Sequence, residues 1–123
     1  MKLNPDCIRD VLIAVEENTD TQNIFSFSST TQFEPPLDKY DYNTILYHIR
    51  QCNLAGLLIN LREYDCGDSG IIVDLSPSGH EFLANTRAGN VWNKLKEKGI
   101  ASIPFLLQFA KDFALAYYQG TLQ

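Results

Sequence analysis

Residues 40–64, YDYNTILYHIRQCNLAGLLINLREY, join a helical apolar stripe to a strand-like run with no linker between them. Asp41 is a suitable helix cap, and Ile45, Ile49, Cys52 and Gly56 then fall on one side of a helical wheel, flanked by His48 and Ala55. Gly56 can take the left-handed conformation that ends a helix, after which Leu57 packs back on the last turn. LLINLREY reads as a strand, DCGDSG as a tip with two glycines, and GIIVDLS as the returning strand. A helix delivered directly into a β-hairpin is the second half of a winged-helix unit.

The flanking segments extend this pattern. Asn4 as a cap and Pro5 at the first helical position open a helix whose inner face is Ile8, Val11, Leu12 and Val15, ending near Asn18. NIFSFSSTTQF, with Phe25, Phe27 and Phe33 in alternating register, predicts a half-buried strand closed by Pro35-Pro36. Residues 34–40 are too short and too proline-rich for more than one turn of a support helix. After the hairpin, either Ser76-Pro77 or a Ser78 to Glu81 capping box starts a helix with Phe82 and Leu83 inside. A break at Ala88-Gly89-Asn90 precedes a helix with Val91, Trp92 and Leu95 on one side and Lys94 and Lys98 on the other. The expected architecture is α+β: a winged-helix core over residues 1–76 (helix, strand, helix, hairpin) with a C-terminal helical extension over 77–123, in one domain.

The last helix, PFLLQFAKDFALAYY, is apolar on two faces, one made by Phe105, Phe109, Phe113 and Ala116 and the other by Leu107, Ala110, Ala114 and Tyr118. A single domain covers one of these easily. Leu107, Ala110, Ala114 and Tyr118 are therefore the candidate homodimer interface, since most soluble homo-oligomers are two-fold dimers. Burial between core and preceding helix accounts for the same pattern.

Charge and cysteine content exclude several classes. The formal net charge is -5, with acids leading bases eight to four in residues 1–61 and seven to six in 62–123, so any phosphate-binding face must be local. Cys7, Cys52 and Cys66 form no CxxC pair, which argues against a disulfide framework and against a zinc site; no metal or other cofactor is expected. The start MKLNPDCIRD has no signal-like apolar core, and Gln108, Lys111 and Asp112 interrupt the longest apolar run, so a cytoplasmic protein outside the membrane is the expectation.

YHIRQCNLAGLL, then LSPSGHEFLANTR, then VWNKLKEKG resemble the bacterial and prophage-borne family catalogued as domain of unknown function 2513. Members carry a Tyr-His-Ile/Leu helix ending in Ala-Gly-Leu-Ile, a Leu-Thr-x-x-Gly-His-Glu-Phe-Leu helix start and a Val-Trp-x-Lys motif. This chain has Leu75-Ser76 for Leu-Thr and Pro77-Ser78 before Gly79-His80, both compatible with a cap. The resemblance implies a winged helix with added C-terminal helices, found on phages and mobile elements, and brings no established activity.

Asn43, Tyr47, Arg50 and Gln51, opposite the apolar stripe and beside Leu54, carry hydrogen-bonding groups suited to a DNA major groove or to a solvated helix face. Arg62 and the Lys94 to Lys98 segment would touch the phosphate backbone, although Glu63, Asp65 and Asp68 crowd the same hairpin. His48 and His80 lack a carboxylate at a recognisable spacing and read as structural imidazoles. No nucleophile elbow, P-loop or dinucleotide fingerprint occurs, so no catalytic residue is assigned and an enzyme is not expected. Two functions remain: a helix-turn-helix type DNA-binding regulator of transcription, or an adaptor or inhibitor that kept the fold, lost the basic surface and engages a host protein.

Overall fold

A computed structural model of the chain describes residues 1–99 and 102–120. Asn4 caps α1 (Pro5–Asn18) by accepting a hydrogen bond from the Asp6 N–H at 3.0 Å. Ile8, Val11, Leu12 and Val15 point inward as their spacing requires, joined by Cys7 and Ala14. Burial pushes the Cys7 thiol up to about 12, with the neighbouring Asp10 carboxylate acting in the same direction, so it behaves as a small apolar residue. Cys52 is likewise buried and its thiol is also raised by desolvation.

The phenylalanine-rich strand is shorter than its alternation implies. β1 (Phe25–Ser28) buries Phe25 and Phe27 and then stops, because Thr31 folds back on Ser28 through its N–H (3.1 Å) and its hydroxyl (2.9 Å). Phe33 leaves the strand register and stacks on Tyr42 instead, with ring centroids 6.5 Å apart. Between β1 and the next helix the chain makes one 3₁₀ turn, Leu37–Lys39. Buried Asp10 pins this turn to α1, accepting from the Tyr40 hydroxyl at 2.7 Å and pairing with Lys39 Nζ at 3.1 Å. Desolvation, followed by the hydrogen bond to Asp10, drives the Tyr40 phenol far above its ordinary range.

Helix α2 (Tyr42–Leu54) begins at Asp41, whose carboxylate accepts from the Thr44 N–H at 2.7 Å. Its inner face is Ile45, Leu46, His48, Ile49 and Cys52. Gly56, at φ +75°, turns the chain, and Leu57 N–H donates to Cys52 O at 2.9 Å. The expected hairpin over 57–75 follows, in two registered pieces: β2 (Leu58–Ile59) with β5 (Asp74–Leu75), and β3 (Arg62–Tyr64) with β4 (Ser69–Ile72). The register is the same throughout, running from Leu58 opposite Leu75 to Tyr64 opposite Ser69. The ladder breaks at Asn60, whose φ of +53° sends the Val73 N–H to Ile59 O. β1 pairs antiparallel with β4, giving the order β1-β4-β3.

Three helices complete the fold: α3 (Pro77–Thr86), α4 (Gly89–Glu97) and α5 (Ile103–Tyr118). Of the two candidate starts for α3 the chain uses Ser76-Pro77, with Ser76 Oγ accepting from the Gly79 N–H at 3.1 Å. One continuous hydrophobic cluster runs from Cys7 of α1 through Ile49, Ile72, Phe82 and Trp92 to Ala110 of α5. The helical extension therefore shares the core of the helix-strand-hairpin part. Residues 100–101 and 121–123 of that extension lie outside the described residues.

The last helix requires a correction. α5 turns Ile103, Leu106, Ala110 and Ala114 into the core, so Ala110 (0% exposed) and Ala114 (3%) are sealed inside the monomer and unavailable to a second copy. Leu107 is half-buried and Tyr118 is exposed. Phe105 is the most exposed of a stacked ladder with Phe109 and Phe113, with centroids 6.4 and 5.8 Å apart. Among the described residues, no helix is long and apolar enough to cross a membrane.

Candidate functional site

The two sides of α2 have different work. On the inner side His48 is fully buried between α1 and α2, with Nδ1 2.8 Å from Thr44 O and Nε2 2.9 Å from the Asn4 N–H. A carbonyl only accepts, so the proton sits on Nδ1, and Nε2 accepts from Asn4. Both ring nitrogens are occupied, and desolvation holds the imidazole below its ordinary pKa, hence neutral. His80 by contrast is exposed, 3.9 Å from Asp74.

The other motif residues are used in the same way. Ser76 N–H donates to Leu57 O (3.0 Å) and Ser76 Oγ to Gly56 O (2.6 Å), tying the helix-to-hairpin junction to the start of α3. Gly79 lies flat on that junction: a Cβ built there would overlap the Leu57 carbonyl oxygen. Trp92 Nε1 donates to Asp6 at 3.3 Å, and the Arg9 guanidinium sits 5.0 Å over the Trp92 ring while donating to Thr86 O. The tryptophan thus anchors α4 to the first turn of α1.

The outer row of α2 does not act as a unit. Asn43 is exposed in the first turn. Arg50 reaches to the hairpin, where its Nε and Nη2 donate to Glu63 at 3.0 and 2.6 Å. This bidentate pair holds the Glu63 carboxyl below its usual range and raises Arg50. Gly67 makes room for it: a Cβ there would stand 2.6 Å from Arg50 Nη2, and its φ of +91° suits only glycine. The Tyr42 hydroxyl donates to Gly67 O at 2.7 Å and completes the contact between α2 and the hairpin tip.

Tyr47 and Gln51 turn the other way. They line an open groove of about 970 Å³ with Leu54 and Ala55 of α2, Leu3 and Pro5 at the start of α1, and Ile103 and Pro104 at the start of α5. Lys2 and Lys96 stand at this groove, Lys96 paired with Asp6 at 3.2 Å. Leu54 is 78% exposed beside it. Of the Lys94 to Lys98 segment assigned to a phosphate backbone, Lys96 lines the groove while Lys94 and Lys98 do not: Lys94 pairs loosely with Glu97 (3.9 Å), and Lys98 makes no ion pair among the described residues. Arg62 is exposed on β3 and is likewise unpaired among them. Glu63, Gly67 and Lys96 stand in segments the sequence singles out, but their contacts with Arg50 and Asp6, like the place of Lys2, carried no signal there, because those partners are brought near only by the turns between elements. Among the described residues no group of three or more His, Cys, Asp or Glu is arranged to hold a metal.

These features define an α+β domain in which a helix passes straight into a hairpin and three further helices close the core from the other end of the chain. The chain belongs to the family described as hypothetical protein (DUF2513), whose model matches residues 2–102. It is also similar to a protein of Haemophilus influenzae carrying the name "Uncharacterized protein", at 30% identity over 97 residues covering 78% of this chain and 76% of the relative. No solved structure matches.

Proposed function

We propose that this chain is a non-enzymatic protein-binding adaptor built on a winged-helix scaffold. The scaffold reading is supported by the element order and by the pairing of β1 with the returning strand β4, while the single 3₁₀ turn before α2 stands where a support helix would be. The observation that carries the binding mode is the division of the α2 row. Arg50 is neutralised by Glu63, whereas Tyr47 and Gln51 face an open, mostly apolar groove. A phosphate backbone approaching α2 and the hairpin would meet Asp41, Glu63, Asp65 and Asp68 against Arg50 and Arg62 alone. The groove instead offers aliphatic walls, two amphipathic hydrogen-bonding side chains, the cation Lys2, and Lys96 paired with Asp6. That chemistry suits an apolar anchor on a partner protein, with a carboxylate beside it for Lys2.

A photo-crosslinking residue at Leu54 should capture one defined protein in cells, and Tyr47→Ala should abolish that capture while leaving the fold intact. The rival reading, a DNA-binding regulator of phage or mobile-element origin, is favoured by the winged-helix element order and assigns Asn43, Tyr47, Arg50 and Gln51 to the major groove and Arg62, Lys94 and Lys98 to the backbone. It predicts binding to a random duplex pool at about 50 mM salt that collapses by 200 mM. Arg62→Ala is the clean variant for that assay, since Arg50→Ala would also release Glu63. Salt-sensitive duplex binding weakened by Arg62→Ala would overturn the adaptor reading.

A further inference from the structure

A second surface, separate from the α2 groove, lies along the outer edge of the three-stranded sheet. β1 is an edge strand, and its pairing with β4 fixes which backbone groups are committed. The Ser29 N–H bonds to Asp68 O at 2.9 Å, and with the register of Phe27 opposite Gly70 and Phe25 opposite Ile72 this directs the polar groups of Phe25 and Phe27 at β4. Ser26 and Ser28 therefore direct theirs outward. Ser28 is satisfied by Thr31, through both the backbone and the Thr31 hydroxyl, but Ser26 receives no such cover among the described residues. After that turn the chain returns as residues 31–35, which do not pair with β1.

What stands between them is a cleft of about 520 Å³, with Ile24, Phe25 and Ser26 on one wall and residues 31–35 on another. Phe33 and Pro35 give it apolar surface, and Ile24 is 45% exposed. Its charged lining residues are Glu17, Asp20 and Glu34, all exposed, with no lysine or arginine among them. Glu17 and Glu34 enter no ion pair among the described residues, so their charge is available to a partner. Open backbone groups at a sheet edge are a template for an added strand.

We propose that the edge of β1 receives an extended segment of another protein in which basic and apolar residues alternate, pairing with Ser26 and setting its cations against Glu17 and Glu34. Alternation follows from strand geometry, since successive side chains point to opposite faces and meet the apolar residues of the cleft and its acidic rim in turn. A second copy of this chain is the poorer occupant, because its own acidic rim would be brought against this one.

The test uses the full chain and a fluorescein-labelled, amidated Lys-Val-Lys-Val-Lys peptide, followed by anisotropy. The peptide is expected to bind at least tenfold more tightly than its Glu-Val-Glu-Val-Glu counterpart, and tenfold more tightly than an analogue with an N-methylated central residue. Ser26→Pro should weaken binding tenfold, because proline there removes only the outward N–H and spares the ladder to β4. Glu17→Lys with Glu34→Lys should reverse the preference between the two peptides, and the Ser26 amide should exchange with solvent at least tenfold more slowly in the complex. Should Ser26→Pro not fold, the N-methylated peptide and the amide exchange decide. Absence of binding, equal affinity for the two charge patterns, indifference to N-methylation, or a chain that dimerises through this edge would each overturn the proposal.

Discussion

The inner and outer faces of α2 are built from the same thirteen residues and have opposite characters. Inside, His48 spends both nitrogens on backbone groups, Ile45, Ile49 and Cys52 are fully buried, and Leu57 beyond the helix is held by Ser76. Outside, Arg50 leans onto the hairpin while Tyr47 and Gln51 lean into the groove, and Leu54 is left in water. The residues by which the family is recognised, Tyr-His-Ile, Ala-Gly-Leu, Ser-Pro-Ser-Gly-His and Val-Trp, fall mostly on the inside or at junctions. They specify how the elements lock together. Activity is to be sought on the outer face, where Tyr47 of the first motif joins Gln51 and Leu54 at the groove.

If that division is right, substitutions should divide sharply in their effects. Gly79→Ala is expected to be the most damaging, because the new methyl group meets the Leu57 carbonyl and neither the helix start nor the junction can withdraw; a loss of about 3 kcal/mol in urea denaturation is the expected result. His48→Ala should follow at about 2–3 kcal/mol, since it opens a cavity and leaves the Asn4 N–H without its acceptor. Ser76→Ala, which removes one cap and one bond to Gly56 O, should cost about 1 kcal/mol. Arg50→Ala, despite its short bonds, should cost well under about 1 kcal/mol, because its side chain is 47% exposed and the pair is screened by solvent. An Arg50 variant as destabilised as the His48 variant would break the distinction between the faces.

His48 also predicts a pH dependence. Burial depresses its pKa below the unfolded value near 6.5, so the unfolded chain takes up the proton first as the pH falls. Stability from this group is intact above about pH 6.5 and declines from there toward the depressed folded pKa. Chemical denaturation between pH 8 and 5 should show that decline in the parent chain and a smaller one in His48→Gln. Equal slopes would show that the imidazole is not the group responsible.

Much of the inner architecture was legible from one dimension. Asn4-Pro5, Asp41 and Gly56 mark helix ends by local chemistry that needs no tertiary context, and the hairpin over 57–75 follows from turn residues between two apolar runs. The choice of inner face for α5 was not legible, because a helix apolar on both sides carries no unique period; packing selected Ile103, Leu106, Ala110 and Ala114. Nor was the break at Asn60, since a left-handed residue inside a strand-like run leaves the alternation almost unchanged. The candidate surfaces were the least accessible. The groove draws on the starts of α1 and α5 and the end of α2, and the Arg50 to Glu63 pair forms across the junction between a helix and a strand.

The bond from Trp92 to Asp6 joins residues 86 positions apart. The start of α1 is fastened twice, by the bond from the Asn4 N–H to His48 of α2 and, once α4 has formed, by the tryptophan. A chain truncated ahead of α4 should keep the contact of α1 with α2 yet be cut by protease near the start of α1 sooner than the parent chain, because one of the two fastenings is gone.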